Sequence, residues 1–215
     1  MPLKVNEIFL SIQGESTRAG LPCVFIRLTG CNLRCAYCDT SYAYEDGTMM
    51  ESEAIMEKVK GFNCPLIEIT GGEPLIQDET PQLIKGLLDA GYTVLLETNG
   101  SQDISMVDRR CIKIMDIKCP SSGEEGHNDL KNLNSLSEGD ELKFVIADKR
   151  DYDFAVETLA LIPADKRGFI YVNFSPCFGR IEPQELSEWI LRDKLNVRLN
   201  MQIHKYIWPP DKRGV

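Results

Sequence analysis

No apolar run in this sequence approaches the roughly 20 residues that a helix needs to cross a bilayer, so no membrane partner is expected. Positive charge is scarce as well: 24 Lys and Arg stand against 33 Asp and Glu, a formal charge of −9. Nucleic-acid binding rests on neutralising phosphates with cations. The balance therefore argues against nucleic acid, and any anionic ligand must meet its positive charge locally. Internal repeats, heptad arrays and low-complexity tracts are missing too. The opening stretch MPLKVNEIFLSIQGES has no basic region leading into an unbroken apolar one. It does not read as a secretory signal, and a cytoplasmic location is the expectation. There thiols stay reduced, so clustered cysteines point to metal or catalysis rather than disulfides.

What is present is an ordinary globular composition, 43% apolar and 27% charged over 215 residues, enough for a single domain, 1–215, with one core. Short β-rich runs at 5–12, 23–29, 65–70, 93–98, 111–118, 141–146, 169–174 and 197–204 alternate with helical spacing at 51–60, 80–90, 151–161 and 183–191. Such alternation predicts an α/β fold, a parallel sheet with its helices outside. Ligands in these folds gather in the loops that follow the strands. Those loops hold the unusual residues here: Cys31 after the second run, TGGEP at 70–74 after the third, ETNG at 97–100 after the fourth, and DIKCPSS at 116–122 at the end of the fifth. The polar stretch 120–139 reads as a long loop or lid.

The segment GCNLRCAYCDT packs Cys31, Cys35 and Cys38 into eight residues, with no fourth cysteine or histidine nearby. A closed zinc site or an ordinary iron-sulfur cluster takes four protein ligands. Three soft thiolates can instead hold three corners of a four-iron cluster and leave the fourth iron open. The alternative is zinc, completed by Cys64, Cys111 or Cys119 folding back. The spacing CxxxCxxC, joined by TGGEP, resembles the radical S-adenosylmethionine superfamily. That resemblance implies a 4Fe-4S cluster on Cys31, Cys35 and Cys38, with S-adenosyl-L-methionine on the open iron. Reductive cleavage of that cofactor would give a radical that takes hydrogen from a substrate. It further implies a radical SAM core, an incomplete (partial) TIM-like barrel of parallel strands and outer helices, with Gly72, Glu73, Asn99, Lys118, Cys119 and Ser121 around the S-adenosylmethionine.

SIQGES at 11–16, FIRLTGCNLRCAYCDT at 25–40 and MQIHKYIW at 201–208, taken with TGGEP, resemble the 7-carboxy-7-deazaguanine synthase family. The likeness implies conversion of 6-carboxy-5,6,7,8-tetrahydropterin to 7-carboxy-7-deazaguanine with loss of ammonia, on the route to queuosine. It implies substrate contacts at Ile12, Gln13, Gly14, Glu15, Arg27 and Thr70, and Mg2+ on the Thr40 hydroxyl. The residue types suit a pterin. Gln13 and Glu15 can satisfy its amide and amino edge, and Arg27 offers a planar fork to its carboxylate. The plain structural reading of Arg27 is a strand arginine paired with an acid such as Glu68. An electron donor such as flavodoxin or ferredoxin and a homodimer are implied partners. His204 is a possible pocket residue, and the tail PPDKRGV leaves open whether Val215 comes near the substrate. Two other readings compete. A glycyl-radical activase shares CxxxCxxC but has no use for QGES or HKYIW, and a substrate-free metal module leaves Gln13, Glu15 and Arg27 idle.

Overall fold

The computed structural model describes residues 2–215. Its elements run β1 (Leu3–Ile12), β2 (Pro22–Leu28), β3 (Thr48–Met50), α1 (Ser52–Gly61), β4 (Leu66–Gly71), α2 (Thr80–Asp89), β5 (Thr93–Thr98), β6 (Ile112–Ile117), β7 (Glu141–Ile146), α3 (Lys149–Leu159), β8 (Tyr171–Pro176), α4 (Pro183–Asp193), β9 (Arg198–Leu199) and α5 (His204–Ile207). They form one sheet in the order β3-β1-β2-β4-β5-β6-β7-β8-β9. From β2 to β9 every neighbouring pair is parallel. The sheet ends at β3 and β9 without closing, which gives the incomplete barrel.

The central strands are largely apolar on the face that meets the helices and mix polar with apolar residues on the other. Ile67 and Ile69, Met115 and Ile117, and Leu142 and Phe144 are fully buried or nearly so. Between them stand Glu68 and Thr70, Asp116, and Glu141 and Lys143, continued on β8 by Asn173 and Ser175. Asp116, Lys143 and Asn173 lie side by side across β6, β7 and β8. Period-two alternation therefore builds both the core and a polar barrel interior. On the outside, α2 starts with Pro81 in its first turn and buries Leu83, Ile84 and Leu87. Asp148 caps α3 by accepting the Asp151 N–H at 3.0 Å.

Four details differ from the sequence expectation. β1 and β2 are antiparallel, because the connection between them has no room for the crossover that parallel strands need. The three-residue β3 was too short to show periodicity. Of the run 197–204 only Arg198–Leu199 is strand; beyond it Asn200, Gln202 and His204 line the barrel interior, and the chain turns into α5. Finally, 120–139 is no loose lid. It folds into short 3-10 turns that bury Ser122, Asn132, Leu133 and Leu136.

Candidate active site

A cavity of about 270 Å3 opens at the carboxyl ends of the parallel strands. Cys31, Cys35, Cys38 and Thr40 line one part of it, with Gly72, Asn99 and Lys118; Ile12, Gln13, Gly14, Glu15, Arg27 and Thr70 line another. The chain brings these expected residues into one chamber.

Neighbouring loops hold the cysteine loop from two sides. The Ala36 N–H donates to the Ser122 carbonyl at 2.9 Å, and the Arg34 N–H donates to Glu124 Oε1 at 2.8 Å. Across from them, Asn99 Nδ2 donates to Asn32 Oδ1 at 3.1 Å, and Asn32 Nδ2 to Ser101 Oγ at 2.8 Å. The glycines of TGGEP serve the same packing. A Cβ on Gly72 would lie 2.1 Å from the Gly30 carbonyl oxygen and 2.5 Å from Cys31 Cβ, so the close approach is to the cysteine loop itself.

Three residues expected around the cofactor are not among those that line the cavity. Glu73 is fully buried outside the cavity wall, accepting from the Leu75 N–H at 3.0 Å, the Thr98 hydroxyl at 2.8 Å and the Asn99 N–H at 2.6 Å. Its carboxylate staples the GGEP turn to the end of β5 and sets Asn99. Cys119 is buried with its Sγ 3.9 Å from the Ile117 carbonyl oxygen. Ser121 gives its hydroxyl to Asp148 at 3.2 Å. Both lie outside the lining because the turn at 120–122 faces α3. Arg27 pairs with Glu7 at 2.8 Å rather than with Glu68.

The cysteine chemistry fits a cluster. Cys64 and Cys111 precede β4 and β6, at the opposite end of the barrel from the trio, so neither completes a zinc site. Among the described residues no three His, Cys, Asp or Glu side chains converge closely enough to share a single ion. Burial pushes the Cys31 thiol up and the Cys35 thiol up to about 11, against the pull of the Lys118 ammonium. Iron must therefore displace protons to bind here. Lys118, which the sequence left readable as a surface lysine, is largely enclosed and pairs with Asp116 at 2.7 Å. The Tyr37 hydroxyl, Asp116 Oδ1 and Asn173 Oδ1 are buried atoms with no partner, on residues that line this cavity. Buried polar atoms left unpaired in a cavity wall suit a site built for polar ligands.

Sequence reading missed the charged part of the chamber. Lys143 Nζ lies 2.5 Å from Glu15 Oε2 and 2.7 Å from Glu97 Oε1. Glu68 accepts from the Gln13 amide. Burial, with Glu97 and Glu15 close by, pushes the Glu68 carboxyl well up, whereas the Lys143 ammonium outweighs burial at Glu97 and holds that group down. One wall thus holds two acids whose proton affinities are pushed apart, the pairing that acid-base chemistry uses. The signal was available: a charge in the middle of an apolar strand, as in ELKFVI and PLIEIT. His204 and Val215 both reach the cavity. His204 packs so tightly on Gly14 that a Cβ there would lie 2.1 Å from its Nδ1, and burial lowers its pKa.

The model of the radical SAM superfamily matches residues 25–116. With the open parallel barrel and the three thiols at its mouth, it defines a radical S-adenosylmethionine enzyme, which carries a 4Fe-4S cluster and S-adenosylmethionine and acts on a small molecule. The 7-carboxy-7-deazaguanine synthase of Chlorobaculum tepidum is 48% identical over 100% of this chain and 98% of its own length. That of Koribacter versatilis is 42% identical over 99% and 100%. The crystal structure of QueE from Escherichia coli superposes with a TM-score of 0.79 at 25% identity, covering 94% of each chain. The chain belongs to the 7-carboxy-7-deazaguanine synthase family. Among the described residues no helix is long and apolar enough to cross a membrane.

Proposed function

We propose that this enzyme converts 6-carboxy-5,6,7,8-tetrahydropterin to 7-carboxy-7-deazaguanine with loss of ammonia, and that the cavity is where it does so. The observation that carries the reading is the single chamber, with three thiols in one part and a wall of paired charges and hydrogen-bonding groups in another. Cys31, Cys35 and Cys38 hold the cluster, and Asn99, Lys118 and the backbone at Gly72 hold S-adenosylmethionine beside it. When bound, the cluster and S-adenosylmethionine supply a radical that takes a hydrogen atom from the substrate. The protein's own work is binding, orientation and shelter from water.

Arg27 binds the substrate carboxylate. Glu7 takes its Nε–H at 2.8 Å, which leaves the terminal nitrogens of the guanidinium for a bidentate pair. The Thr40 hydroxyl, 3.1 Å from Asp39 Oδ1, offers a hard oxygen to Mg2+. Ile12, Gln13, Gly14, Glu15 and Thr70 surround the ring, and Glu68 and Glu97 are placed to give and take protons. A flavodoxin or ferredoxin supplies the electron, and the enzyme works as a cytoplasmic homodimer.

The test is an anaerobic assay of the iron-sulfide-reconstituted protein with reductant, Mg2+, S-adenosylmethionine and the carboxytetrahydropterin, read by mass spectrometry. The expected result is 7-carboxy-7-deazaguanine over many turnovers, without matching 5′-deoxyadenosine, and none from Cys35→Ala. Slow S-adenosylmethionine cleavage with no deazaguanine would overturn the pterin assignment.

A further inference from the structure

Lys143 projects from the middle of β7 into the barrel, with its side chain only 7% exposed. Burying an ammonium is unfavourable by several kcal/mol unless it is fully paired, and a methionine would fill the same space without that penalty. The structure pairs it twice, on carboxylates that come from the loop after β1 and from β5. Each of these acids is tied a second time. Glu15 Oε1 accepts from Gln202 Nε2 at 2.8 Å and its Oε2 from Asn200 Nδ2 at 3.3 Å. Glu97 Oε2 accepts from the Thr70 hydroxyl at 3.3 Å. Every partner of the two acids is a donor, so both remain acceptors.

Without the ammonium, two like charges would share one small wall, and mutual repulsion would drive a proton onto one of them. A protonated carboxyl donates on one side. The wall would then accept an acceptor-bearing ligand edge as readily as a donor-bearing one. A 2-amino-4-oxo ring edge is rich in N–H donors, and a site whose acceptors are fixed rejects an analogue that lacks them, because its own buried groups go unpaired.

We propose that Lys143 determines substrate specificity by holding Glu15 and Glu97 as a fixed pair of carboxylate acceptors. It is a positioning residue, acting through the two acids. The inference rests on the pterin reading of the cavity.

The experiment measures binding to reconstituted holoenzyme, without turnover, of 6-carboxypterin and of 6-carboxylumazine, in which an oxygen replaces the 2-amino group. The unaltered protein should prefer 6-carboxypterin by on the order of 100-fold. In Lys143→Met the preference should fall below about 10-fold, with Lys143→Arg recovering most of it. The change in the reduced cluster's EPR spectrum on adding S-adenosylmethionine should persist in both variants, showing an intact cofactor end. Lys143→Gln, which keeps a donor without the charge, carries the same prediction should the methionine variant not fold. A purely structural lysine would weaken both ligands alike and leave their ratio unchanged, and that result overturns the inference alone. Failure of the unaltered protein to bind 6-carboxypterin would overturn the substrate reading and this inference with it.

Discussion

Replacing Glu73 by glutamine tests whether the glutamate of TGGEP serves the cofactor or the fold. Both of its oxygens accept from buried donors: Oε1 takes the Leu75 N–H and the Thr98 hydroxyl, and Oε2 takes the Asn99 N–H at 2.6 Å. An amide has one acceptor oxygen. If it faces Leu75 and Thr98, its NH2 group confronts the Asn99 N–H, donor against donor; the flipped amide abandons the other two. A lost hydrogen bond to a charged acceptor and a backbone N–H stranded in the interior together amount to about 3 kcal/mol. In a domain of this size each kcal/mol moves the midpoint by about 2–4 °C, so Glu73→Gln should melt about 6–12 °C lower. Circular dichroism on the iron-free protein is the assay, because no cofactor can then contribute. An unchanged midpoint, with S-adenosylmethionine affinity lost in the reconstituted enzyme, would refute the staple and return Glu73 to the cofactor.

Glu68 makes a pH-dependent prediction. Its folded-state pKa is raised above the unfolded value, so between the two the folded protein binds the extra proton and stability falls as pH rises. Glu68→Gln removes that penalty and should raise the melting temperature more at pH 8 than at pH 5; equal shifts at both would show that the carboxyl is not protonated when folded. Glu124→Ala unties the cysteine loop from the Arg34 N–H. Loss of about 1 kcal/mol of local hold corresponds to about five-fold more frequent opening, so a chelator should strip iron about five-fold faster with little change in melting. An unaltered rate of iron loss would show that the brace does not limit opening.

The cysteine spacing, the strand-helix alternation and the positions of the loops were readable because each is a local pattern. Strand ends were nearly so: the runs at 93–98 and 141–146 coincide with β5 and β7. What local pattern could not give was partnership. Glu73 and Asn99 are both in recognisable motifs, yet only the folded chain shows that one carboxylate turns away from the cavity to hold the other's backbone. Lys143 looked like any lysine in a β-rich run, since its meaning lies in two acids 128 and 46 residues away. The stretch after Leu199 misled for the same reason. Its alternation suggests a strand, but its polar residues answer to Glu15 and Gly14, which belong to the other end of the chain.

That last connection bears on how the enzyme is made. Where further strands would close a barrel, side chains and one backbone bond tie the loop after β1 to β7 and to the chain's last segment. Ser16 N–H donates to Asn200 Oδ1 at 2.9 Å, Thr17 N–H to Glu141 at 2.9 Å, and Ile203 N–H to the Gly14 carbonyl at 3.0 Å. The cysteine loop, by contrast, is held mainly from earlier in the chain, by the Glu73 N–H on the Gly30 carbonyl and by residues 99–124, with Gln202 and Lys205 reaching only Asp39 at its end. A chain emerging from the ribosome therefore has most of the contacts that shape its cysteine loop before those that complete the wall that reads the substrate. That wall is incomplete until Asn200 and Gln202 reach Glu15.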